Sequence, residues 1–544
     1  MSIHHNSLDP AAQQWDIIVV GAGAGGAALG YALAKAGKKV LFCEKGRSLL
    51  SESPALRGDY AERFFPKPSV AQPRHQDILA RAGRCYDEIE DHSRAKVLRH
   101  IPFIGLGTGG GTALFGMAME RFFPCDFQPR GNYPDIGEST LPDSWPIGYE
   151  ELEPYYREAE QLFRVHGSAD PLRPDETKPQ YLSASPLHPA NRELYEFFQA
   201  QGLHPYRLPL ACDQVEGCEG CQGYLCGKNC KNDAGKICLE PAISRYGARL
   251  LEECAALRLE HGRDSVTGVV CSWKGQERTF RAGTVVLAAG ALQSPALLLR
   301  SRSAQWPQGL ANNSGMVGRN LMRHYVDLFA VAPKSPGKLA GNLKEIAFND
   351  YYQIQGGKFG TVQSFGTLPP ASMIVEQIEQ DLRDAAFPLA AALFQPFKPL
   401  LKPVLGRLFS SRLILASLLE DLPYLDNRVV LSDQDKIILN YRVHPAEKAR
   451  IELFRKKIAN LLKPYSFMLM KQAENNDRIA HVCGTCRFGK DERDSVLDAG
   501  NRAHGLSNLY VVDSSFFPSS AGTNPGLTII ANALRVADII AHEK

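Results

Sequence analysis

The apolar pattern is clearest near the start, in WDIIVVGAGAGGAALGYALAKAGKKVLFCEKG, residues 15–46. The run Ile17 to Val20 predicts a short buried strand. A glycine-rich turn follows, and an alanine-rich apolar helix then runs to about Lys35. A second strand is predicted over Lys39–Phe42, ending at Glu44. The same order of strand, small-residue turn and helix recurs at TVVLAAGALQSPALLLR, residues 284–300, with the strand over Thr284–Ala288. Residues 144–164, SWPIGYEELEPYYREAEQLFR, read as a turn and then a helix. Residues 446–462 read as an amphipathic helix whose Ile451, Phe454, Ile458 and Leu461 share one face, a core stripe. Residues 385–419 differ from the rest. They are apolar, interrupted by four prolines, and their only charges are Lys398, Lys402, Arg407 and Arg412. This stretch fits substrate-domain helices with basic tips, a lid over an apolar channel, or a contact with an anionic membrane surface. As a lid or membrane contact it would point to an apolar rather than a sugar-like small molecule.

Gly21, Gly23 and Gly26 sit where the first strand meets the first helix, in a G-x-G-x-x-G pattern. In that context the glycines let the backbone approach a pyrophosphate, whose charge rests on the helix N-terminus. Glu44 ends the second strand, where a carboxylate can accept from a ribose hydroxyl. An unphosphorylated ribose is implied, hence FAD or NAD rather than NADP.

A chain of 544 residues exceeds one simple core and predicts two domains. The net charge of +3 comes without a concentrated basic face, so nucleic acid is not expected as a partner. The N-terminal residues lack the pattern of a signal peptide, and no apolar run is long enough to span a membrane. The expectation is a cytoplasmic protein, with peripheral contact at the inner membrane as an extension. In that compartment clustered thiols favour metal or redox chemistry over disulfides. Six of the 13 cysteines fall in CDQVEGCEGCQGYLCGKNCKNDAGKIC, residues 212–238. Glycines 217, 220, 223 and 227 permit tight turns there. The spacing leaves an iron–sulfur centre, structural zinc, and disulfides or free thiols all open. Cys43, Cys85, Cys125, Cys254 and Cys271 read as single buried thiols, and Cys486 as a packing position.

Several separate stretches resemble the glucose–methanol–choline (GMC) oxidoreductases, which are FAD enzymes. GLGTGGGTALFGMAM, residues 105–119, is similar to the family's glycine-rich flavin segment at Gly109, Gly110 and Thr112. It has no histidine for covalent attachment, so non-covalent FAD is implied. The segment at 284–300 and VGRNLMRH at 317–324 resemble the family's next two motifs. HVCGTCRFG and NLYVVDSSFFPSSAGTNPGLTIIANALRV, between 481 and 536, resemble its C-terminal signature. There His481, Asp513 and Asn524 occupy the family's positions, and the Asn-Pro pair is similar to the branch that includes cholesterol oxidase.

The resemblance implies an α/β fold in which a Rossmann-like FAD-binding domain is interleaved with an α+β substrate-binding domain. The flavin parts would cover 15–140, 239–322 and 476–544. The substrate parts would cover 141–235 and 323–475, with the cysteine-rich segment at 212–238. Gly21, Gly23, Gly26, Glu44, Gly109, Gly110, Thr112 and Asp513 would hold FAD. His481 would take the hydroxyl proton of an alcohol, a task suited to an imidazole, and Asn524 would orient the substrate oxygen. The CH–OH group would become an aldehyde or ketone. Cys221, Cys226 and Cys230 resemble the cysteine-rich segment of bacterial relatives that carry a three-iron cluster. Electrons would then pass to oxygen, or through the cysteine-bound centre to a quinone or cytochrome. A lyase or decarboxylase that retains FAD is the alternative reading.

Overall fold

The computed structural model describes residues 9–50, 55–65, 72–94, 96–334, 339–355, 357–366, 370–384, 394–474, 479 and 481–543. Its first sheet begins where the apolar pattern is strongest. Strand β1 (Gln14–Val20) leads through the glycine turn into helix α1 (Ala24–Lys35) and then strand β2 (Val40–Cys43). β1 pairs in parallel with β2 on one side and with Gln276–Leu287 on the other, Ile17 facing Val40 and Thr284. Arg249–Leu251 continues the sheet beyond β2. Gln276–Leu287 is long enough to serve two partners. Its first half pairs antiparallel with Val266–Trp273, and its last residues pair in parallel with Leu509–Val511. The parallel strands therefore end together. Gly21, Glu44, Ala288 and Asp513 all lie just past those carboxyl ends, the place where open α/β sheets bind ligands.

α1 packs against the C-terminal helix Gly526–His542. Close approach requires glycine here. A Cβ on Gly25 would stand 2.1 Å from the Val512 carbonyl oxygen, and one on Gly26 would stand 2.2 Å from that of Gly21.

A second sheet is antiparallel, in the order Ser466–Met470, Tyr325–Ala332, Leu413–Leu419, Val362–Ser364, Ile346–Phe348, Tyr206–Arg207. Every residue of Leu413–Leu419 is buried, because both sheet faces are covered. Leu413, Leu415 and Leu419 pack with Ile451, Phe454 and Ile458 of the helix Pro445–Leu461. Ile414, Ala416 and Leu418 face the other way, with Leu328 and Phe365. That second face forms one wall of the cavity described below.

The apolar stretch 385–419 divides into unlike parts. Residues 385–393 lie outside the described residues. Lys398–Ser410 is a helix with no buried residue, and Phe397, Leu400 and Val404 are each more than half exposed. The end of the stretch is the central strand Leu413–Leu419, so that part is sheet interior rather than lid or surface. Among the described residues no helix is long and apolar enough to cross a membrane.

Candidate active site

A cavity of about 500 Å³ lies between the two sheets. Its nucleotide end is built from the glycines and Glu44. Gly21 has φ +99°, and a Cβ there would meet the Ala288 carbonyl oxygen at 2.5 Å. Gly110, at φ +50°, passes so close to Gly23 that a Cβ would stand 2.8 Å from its Cα, while Gly109 N–H donates to Ala22 O at 2.8 Å. The two glycine loops thus support each other. The Glu44 carboxylate accepts from the backbone N–H of Ala22 (2.8 Å), Gly46 (2.7 Å) and Gly107 (3.1 Å), which fixes it at the strand end. Gly23 and Glu44 line the cavity, whereas Gly26 and Gly109 do not. The Thr112 hydroxyl donates to Gly109 O (2.6 Å) and accepts from Ala234 N–H (3.0 Å), so it fastens the loop. Asp513 accepts from Gly290 N–H, from the Ser294 hydroxyl and from Ser515 N–H, tying the helix Gly290–Arg300 to the C-terminal loop. Burial pushes its carboxyl pKa up.

At the other end, His481 and Asn524 face the same cavity. A residue not singled out from the sequence, His324, decides what His481 can do. His324 Nε2–H donates to the carbonyls of Ser520 and Ala521, each at 3.0 Å. Its Nδ1 is therefore the acceptor, and the 3.1 Å contact with His481 Nδ1 makes His481 the donor. His481 Nε2 is then left unprotonated, without a protein partner among the described residues. Burial, then the proximity of His324 and Lys344, hold the His481 pKa well below the usual imidazole value. At neutral pH the ring is an uncharged base. His324 itself sits at φ +61°, held there by the Asp421 carboxylate, which accepts from the backbone N–H of Arg323 and His324 at 2.7 and 3.1 Å. The motif at 317–324 contains His324, but nothing in its spacing shows that it meets His481.

Asn524 is 8% exposed, and its Oδ1 lacks a partner among the described residues. The loop before it is clamped residue by residue. Ser519 accepts from Trp145 Nε1 (2.8 Å), Ser520 donates to Asp421 (2.8 Å), Ala521 N–H donates to Glu420 (3.1 Å), Gly522 N–H donates to the Tyr352 hydroxyl (3.0 Å), and Thr523 donates to Glu120 (2.8 Å).

The cysteine-rich segment borders this cavity through Gln222 and Gly223. Gly217, Gly220 and Gly223 take positive φ, as their turns require, while Gly227 does not. Of the three cysteines singled out, Cys226 and Cys230 have sulfurs 3.5 Å apart, and Cys221 contacts Cys226. The structure adds two more. Cys218 Sγ lies 3.5 Å from that of Cys230, and Cys212 Sγ lies 3.7 Å from that of Cys218. A bridge between Cys212 and Lys231 folds the start of the segment onto its end. Thiol hydrogen bonds from Cys212 and Cys230 pull the Cys218 pKa down, and those from Cys221 and Cys230 do the same for Cys226. Cys238 is apart, packed in the core of the first sheet. Cys43, Cys254 and Cys271 are not single thiols: their sulfurs lie within 4.8 Å of one another.

A parallel sheet with a glycine turn and terminal acid, facing an imidazole base across a shared cavity, defines a dinucleotide-dependent oxidoreductase. Comparison with known proteins narrows this. GMC oxidoreductase models match residues 144–326 and 423–533, and a Rossmann-like NAD(P)-binding model matches 19–82. The chain is 30% identical to paromamine 6'-oxidase of Streptomyces fradiae, across 97% of this chain and 92% of that protein. It is 25% identical to the fructose dehydrogenase large subunit of Gluconobacter japonicus, across 97% and 98%. Pyridoxine 4-oxidase from Mesorbium loti shares the fold, with a TM-score of 0.63 at 20% identity over 98% of this chain and all of that one. The chain belongs to the GMC oxidoreductase family. FAD is the cofactor this membership implies, and the residues fit it. The cradle is backbone-lined, and a Cβ on Gly111 or Gly290 would meet nothing within 4 Å.

Proposed function

We propose that the protein oxidises the CH–OH group of a small alcohol to an aldehyde or ketone, with His481 as the general base. The observation that carries this reading is that His481 faces the cavity with its Nδ1 bonded to His324 at 3.1 Å, which leaves the Nε2 lone pair free. FAD would be held by Gly21, Gly23, Glu44, Gly110, Thr112 and Asp513, with Gly26 and Gly109 packing the glycine loops behind them, and would supply the hydride acceptor. His481 Nε2 takes the hydroxyl proton. The Asn524 amide hydrogen-bonds the same oxygen and turns the carbinol C–H toward the cofactor. The clamped loop 519–523 and the apolar wall of Val326, Leu328 and Leu418 keep water from competing for that oxygen.

The five neighbouring thiols of Cys212, Cys218, Cys221, Cys226 and Cys230 would hold a sulfur-ligated metal centre, whose chemistry is to carry electrons away from the cavity. The position of Cys221 beside Gln222, which lines the cavity, supports that role. Iron–sulfur is the reading that the segment's resemblance to cluster-bearing relatives favours. Sulfurs bound to one tetrahedral ion stand about 3.8 Å apart, from metal–sulfur bonds of about 2.3 Å. The observed contacts of 3.5 to 3.7 Å are of that size, so a cluster of several irons requires the thiols to spread.

Replacing His481 with Gln tests the base. Flavin reduction by an alcohol should slow by about a hundred-fold or more, as loss of a general base gives, with the bound flavin spectrum retained. An unchanged rate would remove His481 from the role.

A further inference from the structure

Three lysines are buried among the described residues: Lys231, Lys344 and Lys358. Two have fixed partners. Lys358 pairs with Asp126 and with Glu420. Lys231 donates to the carbonyls of Ala113 (3.0 Å) and Tyr224 (3.2 Å). Lys344 is different. It is 3% exposed and lines the cavity, and among the described residues its ammonium's hydrogen-bond partner is Gln222 Oε1 at 3.4 Å, a long bond for a group with three donors.

The surroundings of Lys344 are built to leave that ammonium room. It lies beside Gly116, where a Cβ would stand 2.5 Å from Nζ, and 5.9 Å from the Phe365 ring centroid. Its backbone N–H is held by Asn342 Oδ1 at 3.1 Å, just before the strand Ile346–Phe348. Among the described residues no carboxylate forms an ion pair with it. The described carboxylates that line the cavity are Glu44, Asp87 and Asp513, of which Glu44 and Asp513 lie past the ends of the first sheet's strands. Glu120 attracts Lys344 from a distance, but its oxygens already accept from Tyr206 and Thr523. Arg323 lines the same end and adds a second cation, while the His324 and His481 rings beside it offer no negative charge. A buried charge without a partner is costly and persists where a ligand supplies the counter-charge. Burial lowers the Lys344 pKa to about 8, which still leaves it mostly charged at neutral pH.

We propose that Lys344 is the specificity residue of this cavity and binds an anionic group, such as a carboxylate, carried by the alcohol. The substrate class is then a hydroxy acid with an apolar body, matched to the wall of Val326, Leu328, Phe365 and Leu418. Cationic amino alcohols are disfavoured by like charge. This inference rests on reading the cavity as an alcohol-oxidising site.

The test uses FAD-loaded enzyme at pH 7 with 4-(hydroxymethyl)benzoate, benzyl alcohol and 4-(aminomethyl)benzyl alcohol, following anaerobic flavin reduction. The carboxylate should be preferred over the neutral alcohol by about tenfold or more, the size of one charge-assisted hydrogen bond, and the amine should be slowest. Lys344→Met should abolish the preference and Lys344→Arg should keep it. A wild-type enzyme without the preference would overturn the proposal. So would a Lys344→Met variant that slows all three alike, since that would place the lysine's effect on the flavin. Terephthalate, which cannot be oxidised, supplies an independent readout: it should perturb the flavin spectrum in wild type and not in Lys344→Met. If none of the alcohols reduces the flavin, the alcohol-oxidising reading fails for this class, and terephthalate binding alone still decides for or against the lysine.

Discussion

Which nitrogen of His481 carries its proton is decided by a residue 157 positions away. His324 can accept only because two carbonyls take its other N–H. This gives a kinetic expectation. His324→Phe removes the acceptor and frees His481 to place its proton on either nitrogen, so kcat should fall by about ten-fold or more while KM changes little. His324→Asn, whose amide oxygen can accept, should recover part of the rate. A purely structural role would make both variants equally poor. The pH dependence follows the same contacts. Burial, then the proximity of the His324 ring and of the Lys344 ammonium, disfavours protonated His481, so its base form persists as the pH falls through 6.5. The acid limb of kcat/KM should lie below the ordinary imidazole value near 6.5. Removing the Lys344 charge with Met should move that limb upward, toward it. A pH–rate profile of wild type and Lys344→Met checks both statements. None of this was legible in the sequence, where His481 could be placed by its motif but its partner could not. The contact depends on His324 adopting φ +61°, a backbone state that the residue types around it do not announce.

The elements that position the site differ in how visible they are. β1, α1 and β2 were legible because an apolar run, a glycine turn and a terminal acid each say something independent. The second sheet was not. Ile346–Phe348 and Val362–Ser364 are only three residues each, and their neighbours in the sheet come from distant parts of the chain. Leu413–Leu419 was hidden in an apolar stretch because a strand buried on both faces shows no alternation. The loop before Asn524 owes its rigidity to charges that sequence cannot pair. Lys358, between Asp126 and Glu420, is held charged by those carboxylates against the cost of its own burial. Lys358→Met would leave two buried carboxylates unbalanced and should cost about 3–5 kcal/mol of stability, read by denaturant unfolding. At the nucleotide end, Gly110→Ala should clash with Gly23 and weaken FAD binding by at least about tenfold, read by flavin fluorescence on dilution. Unchanged retention would show that the two glycine loops do not need their close contact.

At the scale of the whole molecule, one cavity runs from the glycine turns and Glu44 to His481 and Asn524, and the cysteine-rich segment borders it through Gln222 and Gly223. The motifs singled out Gly21, Gly23, Glu44, His481 and Asn524, and all five line that cavity. The full thiol set was not legible, because Cys212 and Cys218 reach Cys230 only through the fold of the segment. After anaerobic purification the protein should contain sulfur-bound metal, and Cys226→Ser or Cys230→Ser should lose it. Those variants should still let an alcohol reduce the flavin while slowing transfer to an external acceptor. Metal-free protein with full electron transfer would remove the centre from the pathway. The most direct test of the whole account is the absorption spectrum of the FAD-loaded enzyme mixed anaerobically with an alcohol, with 4-(hydroxymethyl)benzoate as the first choice. Bleaching of the oxidised flavin band in wild type, slowed about a hundred-fold or more in His481→Gln, is the predicted result. A band that no alcohol bleaches, or that bleaches equally fast in both, would contradict it.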